Sequence, residues 1–404
     1  MSVRAMIVED TPVELWGLSS RQRLERMLRR AGVAEFVEEP SRLPGFGSVL
    51  LVRGDYLYDA RILTALLRQC GVGLAVDAAG GRRRIVAAHV PAAQAVQARR
   101  ALLEDADEPP FRVETLATFS TMFEERLRKA DTPYLLPIQP GSRRELERRL
   151  FAGSYKGVTD LVTKWVWPKP ARWVTGVCAR HGIVPNHVTA ASLALVILAA
   201  ILFARGAYGW GLLAAWTMTF LDTVDGKLAR VTVSSTAFGH IFDHAIDLLT
   251  PPIWYVLWGL SLPHYGPEPV LPLRTTLWLI VAFYAVGRLA EGTFQRCLAR
   301  FGIFCWRPID SHFRLITARR NPNLLLLTAG ALVGRPDLGL LAVALWTVVT
   351  SLFLVARLAM AWKEKANRGT IDSWLNDLDR AAREAPLAAR WFTQRERPRP
   401  GGAG

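Results

Sequence analysis

The sequence predicts a bundle of six transmembrane helices preceded by a soluble α/β domain of the Rossmann type. Two observations support this division. Over residues 1–150, short apolar runs alternate with helical patterns, as in a parallel sheet covered by helices. Six apolar stretches follow in the second half, and the long ones have roughly the 20 residues that a bilayer requires. A chain of 404 residues is long enough for both parts.

The predicted soluble domain covers residues 1–150. Its predicted strands are 3–8, 48–52, 74–76 and 85–90, and its predicted helices are 20–31, 60–69 and one that opens at Pro91. Ser19 or Ser20 is suited to cap the first helix, and Gly32 lies just beyond its end.

Residues 151–185 are predicted to form a linker and an amphipathic segment at the membrane interface. Between 158 and 180, tryptophans alternate with basic residues: Trp165, Trp167 and Trp173 with Lys164, Lys169 and Arg172. Tryptophan and lysine together are typical of a helix that lies at the bilayer surface. A purely cytosolic helix is the alternative.

The predicted membrane domain covers residues 186–363. Its spans are expected near 188–203, 210–224, 238–260, 277–292, 324–333 and 338–362. The segment 296–321 carries six arginines, whereas the loops at the opposite ends carry only Arg205, Arg274 and Arg335. Positive residues favour the cytoplasmic side, so a multi-pass cell-membrane protein with both termini inside is expected. The tail, 364–404, is expected to form a cytosolic helix over 371–383 and then a disordered stretch.

The net charge of +15 suits a protein that lies against anionic lipid and handles phosphorylated substrates. Nucleic acid is the rival explanation, but the chain has no recognition motif for it and the apolar spans argue against it. The four cysteines show no metal-binding spacing.

Four aspartates lie at the ends of the second and third apolar stretches: Asp222, Asp225, Asp243 and Asp247. The first two are three apart and the last two are four apart, so each pair shares a helix face. Two such helices packed antiparallel would gather four carboxylates, which repel one another in a low dielectric unless cations bind. Oxygen ligands alone favour Mg²⁺ or Mn²⁺ over Zn²⁺. Aspartates paired with arginines that only hold the helices together are the alternative.

The full pattern, D-x2-D-G-x2-A-R-x8-G-x3-D-x3-D, resembles the signature of the CDP-alcohol phosphatidyltransferases. The resemblance implies transfer of a substituted phosphoryl group from a CDP-alcohol or CDP-diacylglycerol to a hydroxyl acceptor, with release of CMP, at a two-metal site in a membrane. It makes Asp222, Asp225 and Asp243 metal ligands. Asp247 would be the general base and would also contact a metal.

The same resemblance implies a CDP-binding surface. Its residues would be Asn186 and Thr189 of the P-N-x-x-T entry to the first span, with Gly226, Ala229, Arg230 and Gly239. Small residues would let the nucleotide approach the helices, although they also allow close helix packing. On physical grounds alone, Asn186 is a good helix N-cap.

Acceptor specificity is where the sequence says least. Arg314, Arg319 and Arg320 are candidates for holding a phosphorylated acceptor, and plain positive-inside topology explains them equally well. Membrane lipid is an expected partner, nucleic acid is not, and a homodimer is left open.

The soluble domain resembles a sugar-nucleotide nucleotidyltransferase in the helix 21–32, in the segment Leu50 to Asp59, and in its place before a transferase domain. Such domains carry a glycine-rich phosphate loop after the first strand, but here Glu9-Asp10-Thr11-Pro12 takes its place. Loss of nucleotidyl transfer is therefore predicted. The alternatives are a bifunctional enzyme that makes its own CDP-polyol and, from another class, an ion-relay or transporter protein.

Overall fold

The structure, a computed structural model, describes residues 3–42, 46–77, 83–106, 108–119, 123–125, 127–235, 237–264 and 270–394. Over 237–244 it describes the helical backbone only. The strands are β1 (Val3–Val8), β2 (Glu35–Phe36), β3 (Ser48–Arg53), β4 (Tyr56–Tyr58), β5 (Val72–Asp77), β6 (Arg83–Pro91), β7 (Arg112–Glu114), β8 (Phe123–Glu124), β9 (Lys129–Asp131), β10 (Leu135–Pro137) and β11 (Thr393–Gln394).

The helices of the first half are α1 (Ser20–Arg30), α2 (Ala60–Leu66), α3 (Ala95–Glu104), α4 (Arg143–Gly153) and α5 (Pro168–Arg180). Those of the second half are α6 (Pro185–Ala204), α7 (Tyr208–Val231), α8 (Ala237–Ser261), α9 (Leu273–Thr293), α10 (Pro308–Ile316), α11 (Arg320–Leu332), α12 (Pro336–Arg368), α13 (Leu378–Glu384) and α14 (Pro386–Phe392).

The main sheet of the N-terminal domain has six strands in the order β2-β1-β3-β6-β5-β7. The four predicted strands and the first two predicted helices lie close to where the sequence placed them, whereas the helix predicted to open at Pro91 begins at Ala95, because Pro91 ends β6. The predicted parallel sheet is wrong. Strand β6 runs antiparallel to both of its neighbours, β3 and β5. The reason is the short connection over 78–82, because a parallel return would need a crossover of a dozen or more residues.

Both faces of this sheet are covered. Alternate residues of a strand point to opposite faces, so Ala5 packs with α1 and α2, and Met6 packs with α3. Helix α1 begins as predicted, with Ser19 in a capping box with Gln22.

The six helices α6, α7, α8, α9, α11 and α12 coincide with the six predicted apolar stretches. Within the described part of the chain, three helical segments are long and apolar enough to cross a membrane: Pro185–Ala204, Leu273–Leu298 and Pro336–Arg368. Helix α11 has 13 residues, which at 1.5 Å per residue reach about 20 Å of a hydrocarbon core about 30 Å thick. The membrane bundle is therefore supported, and the count of six spans stays a prediction.

The N-terminal domain packs onto the end of α7. Trp16 and Phe151 lie in one apolar cluster with Val224 and Leu228 of α7. From α1, Arg26 Nη1 donates to the carbonyl of Thr232 at 2.7 Å, and Arg30 Nη2 donates to that of Ser235, also at 2.7 Å. The domain thus contacts the turn that joins the two aspartate-bearing helices.

The C-terminal tail returns to the soluble part. The predicted helix over 371–383 is wrong in its start, because Asp377 caps α13 and so begins the helix at Leu378. After α14, strand β11 pairs in parallel with β9, and Phe392 is buried. The predicted disordered stretch, 395–404, lies outside the described residues.

Candidate active site

The predicted signature residues lie on α7 and α8, on either side of the turn at 232–236. Asp222 and Asp225 are one helical turn apart on α7, and Asp247 lies on α8. The side chain of Asp243 and the surroundings of Gly239 fall outside what the structure describes.

Arg320 joins the two helices. Its Nη1 donates to Asp247 Oδ1 at 2.6 Å, and its Nη2 donates to Asp222 Oδ2. Arg320 is the first residue of α11, and Trp216 Nε1, which donates to Thr328 Oγ1 at 3.0 Å, ties α11 to α7. The structure thus brings one carboxylate from each aspartate pair to the same guanidinium, that of Arg320. A residue predicted to contact the acceptor is found between the aspartates.

Asp225 lies deeper than the other two, at 6% exposure, and accepts a hydrogen bond from Thr189 Oγ1 at 2.9 Å. This contact brings Thr189 of α6, a predicted nucleotide residue, against a predicted metal ligand. Asn186 is exposed at the start of α6. It is not the N-cap, as the sequence suggested, because Pro185 takes the first helical position and Val184 precedes it.

Gly226 has a close neighbour in Arg230. A Cβ added at Gly226 would lie 2.9 Å from Arg230 Nη2, so the arginine side chain folds back over the glycine along α7. Ala229 is half-buried on the same helix. A guanidinium beside Gly226 is suited to contact a phosphate, since its planar fork can give two parallel hydrogen bonds.

A second polar cluster lies at the end of α9. Glu291 accepts from Arg288 Nη2 at 2.7 Å and also from Arg319 Nη2. Arg319 immediately precedes Arg320, so Glu291 holds the start of α11 in place.

Arg314 on α10 completes the arginine group. The residue is half-buried, and its guanidinium lies 5.5 Å from the centre of the Phe304 ring. Its Nε and Nη1 are buried, and the described residues offer them no hydrogen-bond partner. Burial, with the charge of Arg319 acting in the same direction and that of Asp160 opposing both, lowers the pKa of Arg314 to about 9. Two buried donors without acceptors are costly, so an anion at this point would be stabilised.

Sequence reasoning missed Asp160 and Asn321. Asp160 is buried and accepts hydrogen bonds from Asn321 Nδ2 at 3.0 Å and from two backbone N–H groups. Burial by itself would raise the pKa of Asp160, but the charge of Arg314 and these hydrogen bonds hold it below its usual value. The available signal was a lone acidic residue just before a basic, tryptophan-rich segment.

Within the described residues, no three His, Cys, Asp or Glu side chains are arranged as a ligand set. Because Asp243 is not among them, the predicted four-carboxylate cluster and its metal ligands stay a prediction.

In the part of the N-terminal domain where the sequence suggested a resemblance to a nucleotidyltransferase, charged side chains of the domain pair with one another. Arg53 donates to both oxygens of Asp55, at 2.9 and 2.8 Å, and also to Glu9 Oε2. Glu9 thus sets a carboxylate against the Arg53 guanidinium. Asp59 caps α2.

A polar site of carboxylates and arginines within an apolar helical bundle is characteristic of a membrane enzyme that handles charged groups. Residues 182–299 match the family model of the CDP-alcohol phosphatidyltransferases, so this segment is a CDP-alcohol phosphatidyltransferase domain. It contains all eight signature residues and ends before Arg314, Arg319 and Arg320.

The chain is also similar to the phosphatidylinositol phosphate synthase of Mycolicibacterium smegmatis (strain ATCC 700084 / mc(2)155). The two are 30% identical over 123 residues, which are 29% of this chain and 55% of that protein. The chain therefore spans about half the length of the curated relative that it matches.

Proposed function

We propose that this protein transfers a substituted phosphoryl group from a CDP-alcohol, such as CDP-diacylglycerol, to an acceptor hydroxyl and releases CMP, in phospholipid synthesis. The observation that carries the proposal is that Asp222 and Asp247, from the two halves of the signature, both accept hydrogen bonds from the Arg320 guanidinium. The family match over the same two helices supports it. The arginine-rich segment 296–321 contacts these aspartates through Arg320, which favours a site on the cytoplasmic side.

Asp247 is the proposed general base. Its side chain is 46% exposed, whereas that of Asp222 is 17% exposed, so Asp247 is the more accessible to an entering hydroxyl. A base must be within hydrogen-bond reach of the proton that it removes, and an exposed carboxylate at the helix surface can meet that need.

The residues present fit a divalent metal site. Asp222, Asp225 and Asp243 offer only carboxylate oxygens, which suit Mg²⁺ or Mn²⁺, and Asp222 and Asp247 already converge on a positive charge. Bound metals would neutralise the pyrophosphate of the donor and stabilise the departing CMP. Thr189 would hold Asp225 in its orientation, and Arg230 would contact a phosphate.

The acceptor is proposed to be anionic, of the phosphorylated-polyol class. Arg314 and Arg319 both lie within 6 Å of the Phe304 ring centre, at 5.5 and 5.8 Å, and Arg320 follows directly. The unsatisfied Nε and Nη1 of Arg314 are the donors that such an acceptor would use. A curated relative named for a phosphatidylinositol phosphate agrees with this class.

The first test is metal-dependent turnover. Purified full-length protein in detergent, given a panel of CDP-alcohols and phosphorylated polyols, should release CMP with Mg²⁺ or Mn²⁺. Excess EDTA should abolish the release, because the carboxylate cluster would lose its cations, and added Mg²⁺ should restore it. CMP release that persists unchanged in EDTA would contradict the proposed site.

An ion relay is the competing function, and the position of the acidic groups speaks against it. A relay needs titratable groups across the whole depth of the membrane. The described carboxylates of α7, α8 and α9 lie at one end of the bundle. At the opposite end, Asp337 is held by Arg335 in hydrogen bonds of 2.9 and 2.7 Å. Strong stabilisation of the protein by CMP in a thermal-shift assay would favour transfer over transport.

For the N-terminal domain we propose a docking role without nucleotidyl transfer. Its Glu9–Arg53 pair replaces a phosphate contact, and its Arg26 and Arg30 hold the turn between α7 and α8. Full-length protein with CTP, Mg²⁺ and phosphorylated polyols should release no pyrophosphate. Pyrophosphate above the level of a protein-free control would refute this and would indicate a bifunctional enzyme that makes its own CDP-polyol.

A further inference from the structure

A cavity of about 390 Å³ lies between α4, the N-terminal end of α5, strand β9 and residues 391–393, which form the C-terminal segment of its lining. Its described lining includes six basic side chains and no carboxylate. The basic residues are Lys129, Arg148, Lys156, Lys164, Lys169 and Arg172. We refer to this cavity as the basic pocket. Such a concentration of one charge attracts anions and is unfavourable when no anion is present.

Two of the lysines differ in how their charge is balanced. Lys129 Nζ donates to Asp131 Oδ2 at 2.8 Å, so its charge is neutralised within the domain. Among the residues that the structure describes, Lys164 Nζ donates only to the carbonyl of Gly157, at 2.8 Å, and it faces the Phe392 ring at 4.8 Å. Burial lowers the pKa of Lys164 to about 8. An ammonium with neutral partners would be stabilised by an anion in the pocket.

The start of α5 adds to the attraction. Pro168 occupies the first turn of this 13-residue helix, and Lys169 and Arg172 follow on the pocket side. The N-terminus of a helix carries a partial positive charge, which favours phosphate. Because Pro168 and Pro170 have no N–H group and the Ala171 N–H donates to the Trp167 carbonyl, this charge rather than a set of backbone donors is what α5 contributes.

The pocket lies next to the segment predicted to contact the bilayer surface, and one of its lining residues contacts α7. Trp165 and Trp173, at 53% and 69% exposure, flank it on the segment predicted to lie at the interface, and the Trp165 ring packs against Trp391 of its lining. Tyr155, also in the lining, contacts Lys227 of α7, whose Nζ lies 3.2 Å from the centre of its ring.

We propose that the basic pocket is a second anion site, which binds the phosphate group of an anionic lipid headgroup or of a soluble phosphomonoester. It is built from residues outside the signature and from the C-terminal segment, so its occupant is distinct from the CDP-alcohol. The proposal does not depend on the proposed transferase activity.

The test uses the full-length protein in nanodiscs and two probes. In one arm, glycerol 3-phosphate is titrated calorimetrically into protein in phosphatidylcholine nanodiscs. In the other, native mass spectrometry counts the phosphatidylglycerol molecules retained from mixed bilayers without soluble phosphate. The variant is Arg148→Gln with Arg172→Gln, one exposed arginine each from α4 and α5. The matched control is Arg144→Gln with Arg180→Gln, which removes the same charge from the same two helices outside the pocket.

The pocket variant should weaken binding in at least one arm by about tenfold or more, because two charge-assisted contacts are lost. The control should change it by less than about twofold, since exposed charges at a distance are screened. An effect confined to the lipid arm identifies a headgroup, and one confined to the soluble arm identifies a phosphomonoester. Equal effects of the two double variants, or no binding by the unaltered protein in either arm, would overturn the proposal. Asp247→Asn should leave anion binding in the basic pocket intact. Failure of the pocket proposal can therefore be distinguished from failure of the transferase proposal.

Discussion

Replacement of Asp247 by Asn should lower the rate of CMP release by about 10²- to 10⁴-fold, the usual contribution of a general base. The amide has nearly the shape of the carboxylate, and its oxygen can still accept from Arg320, so the helices should stay together. It has no basic oxygen that can take the acceptor proton. The measurement is the initial rate of CMP release at saturating donor and acceptor, with the melting temperature recorded for both proteins.

Asp337→Asn is the matched control for this substitution. It also neutralises an arginine-paired carboxylate of the membrane domain, but at the other end of the bundle, where Asp337 pairs with Arg335. Its rate should stay close to that of the unaltered protein. If Asp247→Asn retained a comparable rate while folding normally, Asp247 would not be the base.

Arg314→Ala should raise the KM for the acceptor by about tenfold or more, which corresponds to the loss of one charge-assisted hydrogen bond of roughly 1.5–3 kcal/mol. The KM for the CDP-alcohol should change little, because Arg314 lies outside the segment that carries the signature. Arg319→Ala should act in the same direction, with an added structural effect because Glu291 loses a partner. Steady-state kinetics with each substrate varied in turn measure both effects.

Arg300→Ala separates acceptor binding from membrane topology. Arg300 is an exposed arginine of the same arginine-rich segment, and its removal reduces the positive charge of that segment by the same amount. It should leave the acceptor KM unchanged. If Arg314→Ala and Arg319→Ala also left it unchanged in correctly inserted protein, the arginines would serve topology alone and the acceptor would be uncharged.

Local patterns were sufficient for much of the fold. The apolar run Val3–Val8 and the cap at Ser19 are properties of neighbouring residues, and the structure has the strand and the helix at those places. The direction of β6 was not local in this sense, because it depends on which strands it pairs with and on the number of residues between β5 and β6. The start of the tail helix was predicted too early. The apolar periodicity extended back to Ile371, but Asp377 caps the helix, which therefore begins at Leu378.

The candidate site divides in the same way. The three-residue spacing of Asp222 and Asp225 places both on one face of α7 whatever the rest of the chain does, since it follows from the helical repeat. By contrast, Arg320 contacts Asp222, which lies 98 positions before it in the chain, and Asp247, which lies 73 positions before it. No periodicity encodes that contact; it depends on the packing of α11 against α7. The basic pocket likewise brings together lysines and arginines from four segments whose spacing in the chain shows no pattern. Helical repeat and composition are local properties that the sequence determines by itself, whereas the pairing of charges across the bundle is decided by tertiary packing, because only packing sets the distances through which charges interact.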